Sequence, residues 1–389
     1  MRRYVKWPLR IILMGTLAAA VVGVVRIDEL RRLMAVNTLF EPDRIVGNFS
    51  QMDRAFLYVP LTTGDSIPLP DGPAITLPEG MNDWMAERRV TSMVVLKKGA
   101  IVHESYLRGT GRDDLRIGWS LSKSFISALA GVVVAEGHIA SLDDPVTTYA
   151  PSLKGGAYDM ATVRNVLNMA TGVTFDEDYT DYDSDINRMG RILALGGHMD
   201  DFATGLTETF ATPGTDWQYV SIDTHVLGMV IRGATERSVA DLMSEKIITP
   251  LGIEKAPYYL TDGTGVAFAL GGLNMTTRDY ARFGQMFAQG GAWQGTQVVP
   301  NDWVLASTTA SAPTAAGEFG YGYQWWMPID ARPREYLGRG IYGQYLYIDE
   351  KAEVVIALTA ADPEFREAGI RDENITWFRQ IANTVQEGG

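Results

Sequence analysis

A helix that is apolar on almost every face, and that begins with a serine and a lysine, most constrains how this chain can fold. Ser120-Leu121-Ser122-Lys123 leads into an apolar run that continues to Ala135. A helix that is apolar on all sides has to lie inside a protein, so this segment predicts a central buried helix. Ser120 and Lys123 are three residues apart and would share one face of it. Because a buried lysine is costly unless it has a partner or a task, we expect the two side chains to meet.

A hydroxyl paired with an amine indicates nucleophilic chemistry. A serine hydroxyl is a weak nucleophile until a base removes its proton, and a lysine whose pKa is lowered by burial can be that base. The spacing by itself also fits a surface serine and lysine in the first turn of a helix. The buried context favours acyl transfer through a covalent ester on Ser120.

Composition excludes several classes of function. The chain has 389 residues, of which 46% are hydrophobic, enough for one large domain or two closely joined ones. Its net charge of −13 and the lack of a basic stripe argue against a nucleic-acid partner. The sequence has no cysteine and no metal-binding spacing such as His-Glu-x-x-His, so we predict neither a metal site nor a cofactor.

The N-terminus predicts export of the protein. Basic residues between positions 2 and 10 precede an uncharged run from Ile11 to Val25. Such a run spans about 22 Å as a helix, somewhat short of the ~30 Å hydrocarbon core, but its flanks can extend it. We interpret residues 1–26 as a signal-anchor in the inner membrane, with a periplasmic or extracellular catalytic domain. A cleaved signal peptide, which would release a secreted protein, is the alternative.

The rest of the chain divides into strand-rich ends and a helical middle. Two β-rich runs around Lys98-Gly99 predict a β-hairpin, and further strands are predicted at residues 321–327, 343–348 and 354–359. The predicted helices are residues 26–40, 163–169, 224–233, 239–247, 277–290 and 364–385.

This order predicts an α/β (α+β) fold. One antiparallel sheet flanked by helices would be built from both ends, with an inserted mainly helical domain between them. We assign residues 27–80 to a helix and extended linker, and residues 81–389 to the globular domain. Within that domain, the sheet takes about 88–116 and 290–389, and the helical subdomain about 117–289. The helix that follows Ser120 begins at their junction, where pockets are common.

A second candidate stretch contains Tyr219 and Ser221, which follow a Pro213-Gly214 turn and precede a predicted helix. A phenol near cations can lose its proton below its usual pKa of about 10, so Tyr219 is a candidate general base or acid. A half-buried tyrosine with a helix-capping serine fits the same residues.

A third candidate stretch, residues 338–344, is rich in glycine and enters a predicted strand. Glycines allow close approach of another backbone or of a ligand. A strand edge here could offer an N–H group to an oxyanion, together with the N–H of Ser120. A plain loop into an edge strand is the alternative.

Together and in this order, the three stretches resemble the motifs of the penicillin-recognising serine hydrolase superfamily, which includes the class C β-lactamases. Ser120 and Lys123 match its Ser-x-x-Lys motif, and Tyr219 with Ser221 matches its Tyr-x-Asn or Tyr-x-Ser motif. The resemblance covers about residues 81–385. The segments that are similar to the branch of 6-aminohexanoate-dimer hydrolases and carboxylesterases are residues 177–179, 271–275 and 340–344.

The resemblance implies a β-lactamase/transpeptidase-like fold and a serine hydrolase that cleaves a small ester or amide. It implies catalytic roles for Ser120, Lys123 and Tyr219. The substrate-binding residues that it implies are Ser221, Asn274, Tyr342, Gly343 and Gln344.

Two departures from the family pattern affect the expected substrate. The asparagine common two residues after the tyrosine is Ser221 here, which weakens the case for β-lactam amide recognition. The third motif, normally Lys-Thr-Gly or His-x-Gly, has no literal match, and Arg339 stands near its place. Ester or small-amide hydrolysis is therefore favoured over β-lactam hydrolysis.

Several alternatives stay open at this point. A penicillin-binding protein or DD-peptidase, a β-lactamase-like protein and a non-catalytic cell-wall binding protein would share the fold. A Ser-His-Asp triad is disfavoured because residues 118–122 lack the final glycine of a nucleophile elbow. His225 is interpreted as a packed histidine or as one that supports a residue of the site. Either Lys123 or Tyr219 could be the main base, and the sequence does not give the oligomeric state. The aromatic residues that could line a pocket or pack in the core are Tyr179, Tyr182, Trp217, Trp325, Trp326 and Tyr342.

Overall fold

A seven-stranded antiparallel sheet lies at the centre of the computed structural model, which describes residues 27–387. The strands of the chain are β1 (Leu57–Pro60), β2 (Val90–Lys97), β3 (Ala100–Tyr106), β4 (Arg116–Ile117), β5 (Tyr258–Thr261), β6 (Leu273–Met275), β7 (Ala292–Trp293), β8 (Thr296–Gln297), β9 (Gly320–Gly322), β10 (Trp325–Met327), β11 (Glu335–Gly340), β12 (Gln344–Asp349) and β13 (Val354–Ala360). The large sheet has the order β3-β2-β13-β12-β11-β10-β9. Its strands come from both ends of the globular part, as predicted, and this confirms the fold class.

Helices cover both faces of this sheet. The α-helices are α1 (Ile27–Asn37), α2 (Ile45–Asn48), α3 (Met81–Glu87), α4 (Ser122–Ala135), α5 (Val146–Tyr149), α6 (Val163–Leu167), α7 (Asp185–Ala194), α8 (Met199–Thr204), α9 (Ser221–Thr235), α10 (Val239–Met243), α11 (Thr249–Leu251), α12 (Thr277–Ala288), α13 (Asn301–Ser307) and α14 (Ile370–Glu387). Shorter turns of 3₁₀ helix lie at Met52–Arg54, Trp119–Leu121 and Pro151–Leu153, and a π-helical turn lies at Ser244–Ile248.

Strand β13 explains why the sheet has a helical layer on each side. Val355 and Ala357 point into the core that contains α4 and α12, whereas Val354, Ile356 and Leu358 point into the core under α14. Successive residues of a strand face opposite sides, so a strand buried on both faces is a continuous apolar run rather than an alternating one. The apolar residues at 354–358 therefore require cover on both faces.

The predicted hairpin around Lys98-Gly99 is confirmed, with Lys97 paired with Ala100. The predicted strand at 321–327 is instead a tight hairpin, β9 and β10, because Tyr323 and Gln324 have positive φ angles of 38° and 72°. Helix α4 begins at Ser122, so Ser120 lies in the preceding 3₁₀ turn and not in the α-helix itself.

A smaller four-stranded sheet, in the order β1-β5-β6-β4, was not predicted. One of its strands, β1, lies in the segment that we assigned to an extended linker, and the others contain only two to four residues each. Strands this short give no readable alternation of apolar and polar residues. Their pairing also joins residues that are distant in the sequence, so no local pattern records it. This sheet matters for the site because β4 leads directly into the turn that carries Ser120.

The predicted signal-anchor, residues 1–26, lies outside the described residues. Within residues 27–387, no helix is both long enough and apolar enough to cross a membrane.

Candidate active site

Ser120 lies in a strained turn between β4 and α4. The preceding residue, Trp119, has a φ of 46°, in the left-handed region that bulky residues rarely adopt. Such a conformation costs about 1–3 kcal/mol and persists only where the surroundings impose it. Here the N–H of Gly118 donates to the carbonyl of Leu273 at 3.0 Å, and the N–H of Ile117 donates to Phe49 at 3.0 Å. These bonds fix the chain just before Ser120.

Lys123 and Ser120 meet as the spacing predicted. Lys123 Nζ lies 2.9 Å from Ser120 Oγ, 3.2 Å from Ser221 Oγ and 2.8 Å from the carbonyl oxygen of Leu270. The lysine side chain is fully buried, and this burial lowers its pKa to about 7 despite the opposing effect of the nearby Glu177 carboxylate. A substantial fraction of the amine is therefore neutral near pH 7 and able to accept a proton.

Tyr219 completes the cluster although it is 99 residues further along the chain. Lys123 Nζ lies 5.2 Å from the centre of its ring. Burial and the Glu177 charge raise the pKa of Tyr219 above its usual value. The phenol therefore keeps its proton at neutral pH, which suits a proton donor better than a base.

Glu177 is a site residue that the sequence analysis quoted only as part of a resemblance. Its carboxylate accepts a hydrogen bond from the backbone N–H of Ser221 and another, at 3.0 Å, from the hydroxyl of Tyr179. Burial raises the pKa of Glu177, while Lys123 and the Ser221 hydrogen bonds oppose that rise. A carboxylate at the start of α9 also complements the positive end of the helix. Its place in the segment 177–179, one of those that carry the family resemblance, was the only sequence signal for it.

A second buried acid, Asp223, lies in the first turn of α9. Tyr158 donates to it at 2.7 Å, and the hydroxyl of Thr171 lies 3.1 Å from both of its carboxyl oxygens. Burial nevertheless raises the pKa of Asp223 to about 8. The group carries a proton in much of the neutral range and anchors the start of α9 below Ser221.

The third predicted stretch forms the opposite side of the site. Residues 338–340 end strand β11, and a three-residue turn joins this strand to β12 through the pairing of Gly340 with Gln344. A Cβ added at Gly340 would overlap the carbonyl oxygen of Gly118 and lie 3.1 Å from the backbone nitrogen of Ser120. Only glycine lets the strand approach the Ser120 turn this closely.

The implied substrate-binding residues separate into two groups. Ser221 and Tyr342 line the cavity beside Ser120. The other three residues do not line it. The side-chain amide of Gln344 donates to the carbonyls of Ile341, Tyr342 and Ala360 at 2.9–3.2 Å, so it holds the turn in place. Gly343 supplies a positive φ of 81° to the same turn. Asn274 is fully buried in β6, and its amide donates to the carbonyl of Gly272 at 2.9 Å.

A cavity of about 360 Å³ opens beside Ser120. This is near the lower end of the size of small-molecule sites. Tyr179, Tyr182 and Tyr342 contribute to its walls, so half of the aromatic residues noted in the sequence do line a pocket. Of the others, Trp326 stacks on Tyr219 with ring centres 5.5 Å apart, and Trp325 is buried in the core.

Residues of the N-terminal segment also line this cavity, and sequence reasoning missed them. Val36, Leu39 and Phe40 face it, although they lie some 80 positions before Ser120. They follow no motif, and only the tertiary structure brings them to the site.

Two other groups that the sequence analysis discussed lie elsewhere. His225 is buried and its Nε2 lies 2.8 Å from Asp200 Oδ1, which also pairs with Arg232, so it is a packed histidine as interpreted. Arg339 lies over the ring of Trp326, 5.1 Å from its centre, and its charge lowers the pKa of Tyr219. Among residues 27–387, no group of three or more His, Cys, Asp or Glu side chains could hold a metal ion.

Comparison with known proteins agrees with this geometry. A family model described as Beta-lactamase matches residues 81–376. A curated 6-aminohexanoate-dimer hydrolase from Paenarthrobacter ureafaciens is 31% identical over 294 residues, which cover 72% of this chain and 74% of that protein.

Solved structures show the same architecture. A Bacillus anthracis protein provisionally named a 6-aminohexanoate-dimer hydrolase superposes with a TM-score of 0.78 at 24% identity, covering 90% of this chain and 96% of that chain. A D-stereospecific amidohydrolase from a Streptomyces species superposes with a TM-score of 0.57 at 20% identity, covering 75% and 99%. At these identities the likeness concerns the fold alone.

Proposed function

This chain belongs to the beta-lactamase family of hydrolases, and from that premise we propose that it cleaves a small ester or amide through an acyl-enzyme on Ser120. The observation that carries the proposal is the contact of Lys123 Nζ with Ser120 Oγ at 2.9 Å, at the edge of a cavity. A buried amine whose pKa is near 7 is suited to accept the hydroxyl proton at neutral pH.

In the first half of the reaction, the proton of Ser120 passes to Lys123 while Oγ attacks the carbonyl carbon of the substrate. The resulting oxyanion is stabilised by the N–H of Ser120 and an N–H from the turn after Gly340, which the close approach of β11 supports. As the bond to the leaving group breaks, Tyr219 donates its phenolic proton to the departing alcohol or amine. Lys123 then returns a proton to Tyr219.

In the second half, water attacks the ester on Ser120. The neutral amine of Lys123 accepts a proton from that water, the acyl group leaves as a carboxylic acid, and the Ser120 hydroxyl recovers its proton. Glu177 lies close enough to Lys123 to favour its protonated form, and it holds the N-terminus of α9 through Ser221.

The substrate class follows from two features of the chain. The relative named as a 6-aminohexanoate-dimer hydrolase supports an amide as one acceptable bond. The third family motif has no lysine here, and Arg339 is placed over Trp326 rather than in the cavity lining, which favours esters and simple amides over β-lactams.

The first prediction tests the nucleophile. A fluorophosphonate probe should label the wild-type protein on Ser120 and should not label Ser120→Ala. Ser124→Ala is the matched control, because Ser124 is a buried serine of the same segment whose hydroxyl donates to Gln324 at 3.0 Å. Intact-protein mass spectrometry and the hydrolysis of p-nitrophenyl esters, simple anilides and nitrocefin measure the outcome.

Equal labelling of wild type and Ser120→Ala would reject the acyl-enzyme. Stable acylation by nitrocefin without turnover would instead favour a penicillin-binding role, and faster turnover of nitrocefin than of esters would favour a β-lactamase.

We also propose that the protein is attached to a membrane through residues 1–26 and acts outside the cytoplasm. The uncharged run from Ile11 to Val25, behind a basic N-terminus, supports this placement. Three apolar side chains on one stripe of α1, Ile27, Leu30 and Met34, are between 42% and 61% exposed, which suits a helix next to a lipid surface.

A further inference from the structure

The C-terminal end of α1 and the residues that follow it form one wall of the cavity beside Ser120. Val36, Leu39 and Phe40 all line that cavity. The family match begins only at residue 81, so this wall lies outside the part of the chain that the family model describes.

The wall is fixed to the catalytic side of the molecule by aromatic contacts. The ring of Phe40 stacks on Tyr342 with centres 5.0 Å apart and planes 11° apart, and it lies 5.9 Å from Trp119. Tyr342 belongs to the turn after β11, and Trp119 immediately precedes Ser120. Phe40 therefore contacts both structures that border the nucleophile.

Hydrogen bonds hold the same segment from behind. The side-chain amide of Asn48 donates to the carbonyls of Thr38 and Leu39 at 2.9 and 3.0 Å. The side chain of Leu39 is only 3% exposed, so it is packed and not a loose tail. The segment is thus a built part of the cavity.

Helix α7 forms another wall of the cavity, and it too contributes apolar residues. Ile186, Met189 and Leu193 lie on one stripe of this helix and line the cavity. Arg32 of α1 donates to the carbonyl of Ala194 at 3.4 Å, which ties the two walls together.

The charge of the lining is as informative as its shape. Among the described residues that line the cavity, Arg191 alone has a charged side chain. Its guanidinium donates to the carbonyl of Tyr182 at 2.6 Å and lies 3.8 Å from the centre of the Tyr182 ring. None of the described lining residues is an Asp or Glu that could pair with a substrate ammonium, and burying an unpaired charge is costly.

We propose that the segment Val36–Phe40 sets the substrate specificity of the enzyme by enclosing an uncharged, apolar chain carried by the ester or amide. This inference rests on the proposed function, because it concerns the cavity beside the same serine. According to this inference, the enzyme does not prefer doubly charged substrates such as a 6-aminohexanoate dimer, the compound in the name of its curated relative.

The test compares substrate chain length in wild type and two variants. One series varies the acyl group, from p-nitrophenyl acetate to butyrate and octanoate. A second varies the alcohol, from ethyl to butyl and octyl acetate. In the wild type we expect kcat/KM to rise with chain length in one of the two series, and we expect low activity on the 6-aminohexanoate dimer.

Phe40→Ala should remove part of the wall and lower the ratio of kcat/KM for the longest substrate of that series to kcat/KM for the acetate by about tenfold. Val36→Phe keeps the wall but should narrow the cavity, and it should lower kcat/KM for the long substrate by a similar factor. Leu305→Ala is the matched control, because Leu305 is an apolar residue on α13 that is 46% exposed and does not line the cavity. Phe40 is itself 43% exposed, so its replacement should leave the fold intact.

Labelling of Ser120 by the fluorophosphonate probe separates the two possible failures. If the probe does not label Ser120, the proposed function is wrong. If labelling is normal but neither variant changes the chain-length dependence, or if the wild type prefers the charged dimer, the wall does not set specificity and the inference is overturned.

Discussion

At the scale of single residues, the protonation of Lys123 decides how the site can work. Two opposing effects act on this amine: burial lowers its pKa, and the charge of Glu177 raises it. Burial is the larger effect, and the pKa comes to about 7. For Tyr219 the two effects act together and raise the pKa, so the phenol stays protonated. Under the proposed mechanism, these pKa directions favour Lys123 over Tyr219 as the base.

The second prediction follows from this balance. Lys123 is an effective base only when neutral, so kcat/KM should rise with pH with an apparent pKa of about 7. In Glu177→Gln the carboxylate that favours the charged amine is gone, so the rising limb should move to lower pH, by about half a unit to one unit. A pH–rate profile from pH 5 to 9 measures both values.

Asp178→Asn is the control for this shift. Asp178 is the exposed neighbour of Glu177, and its carboxylate accepts hydrogen bonds from Thr180 rather than acting on Lys123. An unchanged limb in Glu177→Gln, or a shift to higher pH, would show that Glu177 does not influence the lysine.

At the scale of elements, the site depends on the contact of strand β11 with the turn that carries Ser120. Gly338 and Gly340 are the residues of the strand that face this turn: a Cβ at Gly338 would lie 2.5 Å from the side chain of Leu121. The left-handed conformation of Trp119 presents the turn to the strand. The sequence indicated that the glycine-rich stretch 338–344 allows close approach of a ligand or of another backbone. In the structure, its glycines allow the approach of the backbone that carries Ser120.

The third prediction concerns that approach. Gly340→Ala should push β11 away from Ser120, because the new methyl group would overlap the carbonyl oxygen of Gly118. If an N–H of the following turn stabilises the oxyanion, kcat should fall by about 10²–10³-fold. Steady-state kinetics, with circular dichroism to confirm folding, measure the loss.

Gly47→Ala provides the comparison, since a Cβ at Gly47 would meet no atom within 4 Å. This variant should retain kcat within about twofold. A Gly340→Ala protein that is equally active would mean that the strand plays no part in the chemistry.

At the scale of the whole molecule, the chain assembles its site from three distant regions. The Ser120 turn precedes the helical part, Tyr219 and Ser221 begin a helix within it, and β11 belongs to the C-terminal part of the sheet. The N-terminal segment then closes the cavity from outside. The lining of the cavity is mainly apolar although the chain has a net charge of −13.

The last prediction addresses where this molecule resides. The full-length protein expressed in a bacterial host should sediment with membranes, resist a high-salt wash and dissolve in detergent. The double variant Leu17→Arg and Val22→Arg puts two charges into the uncharged run and should weaken this attachment strongly, because each charge costs about 2.5–3.5 kcal/mol at the bilayer centre.

Leu305→Arg, which changes an exposed apolar residue of α13 in the same way, should remain with the membranes. A wild-type protein that stays in the soluble fraction with its N-terminus intact would contradict the anchor. A soluble protein that lacks its first residues by mass spectrometry would instead support a cleaved signal peptide.

The sequence by itself determined the central helix, the hairpin at Lys98-Gly99, the two-ended sheet and the pairing of Ser120 with Lys123. The helix, the hairpin and the pairing of Ser120 with Lys123 depend on spacing within a few residues, where the period of a helix or strand decides which side chains are neighbours. The two-ended sheet instead followed from the order of strand-rich and helical segments along the chain. The placement of Tyr219 came from a resemblance to known motifs, not from any local rule.

Only the tertiary structure decided the rest. The small sheet, the role of Gln344 in holding a turn and the wall formed by Val36 and Phe40 join residues far apart in the chain, which no local pattern records. The pKa of Lys123 also belongs to this group, because it depends on how completely the surrounding layers exclude water from one amine.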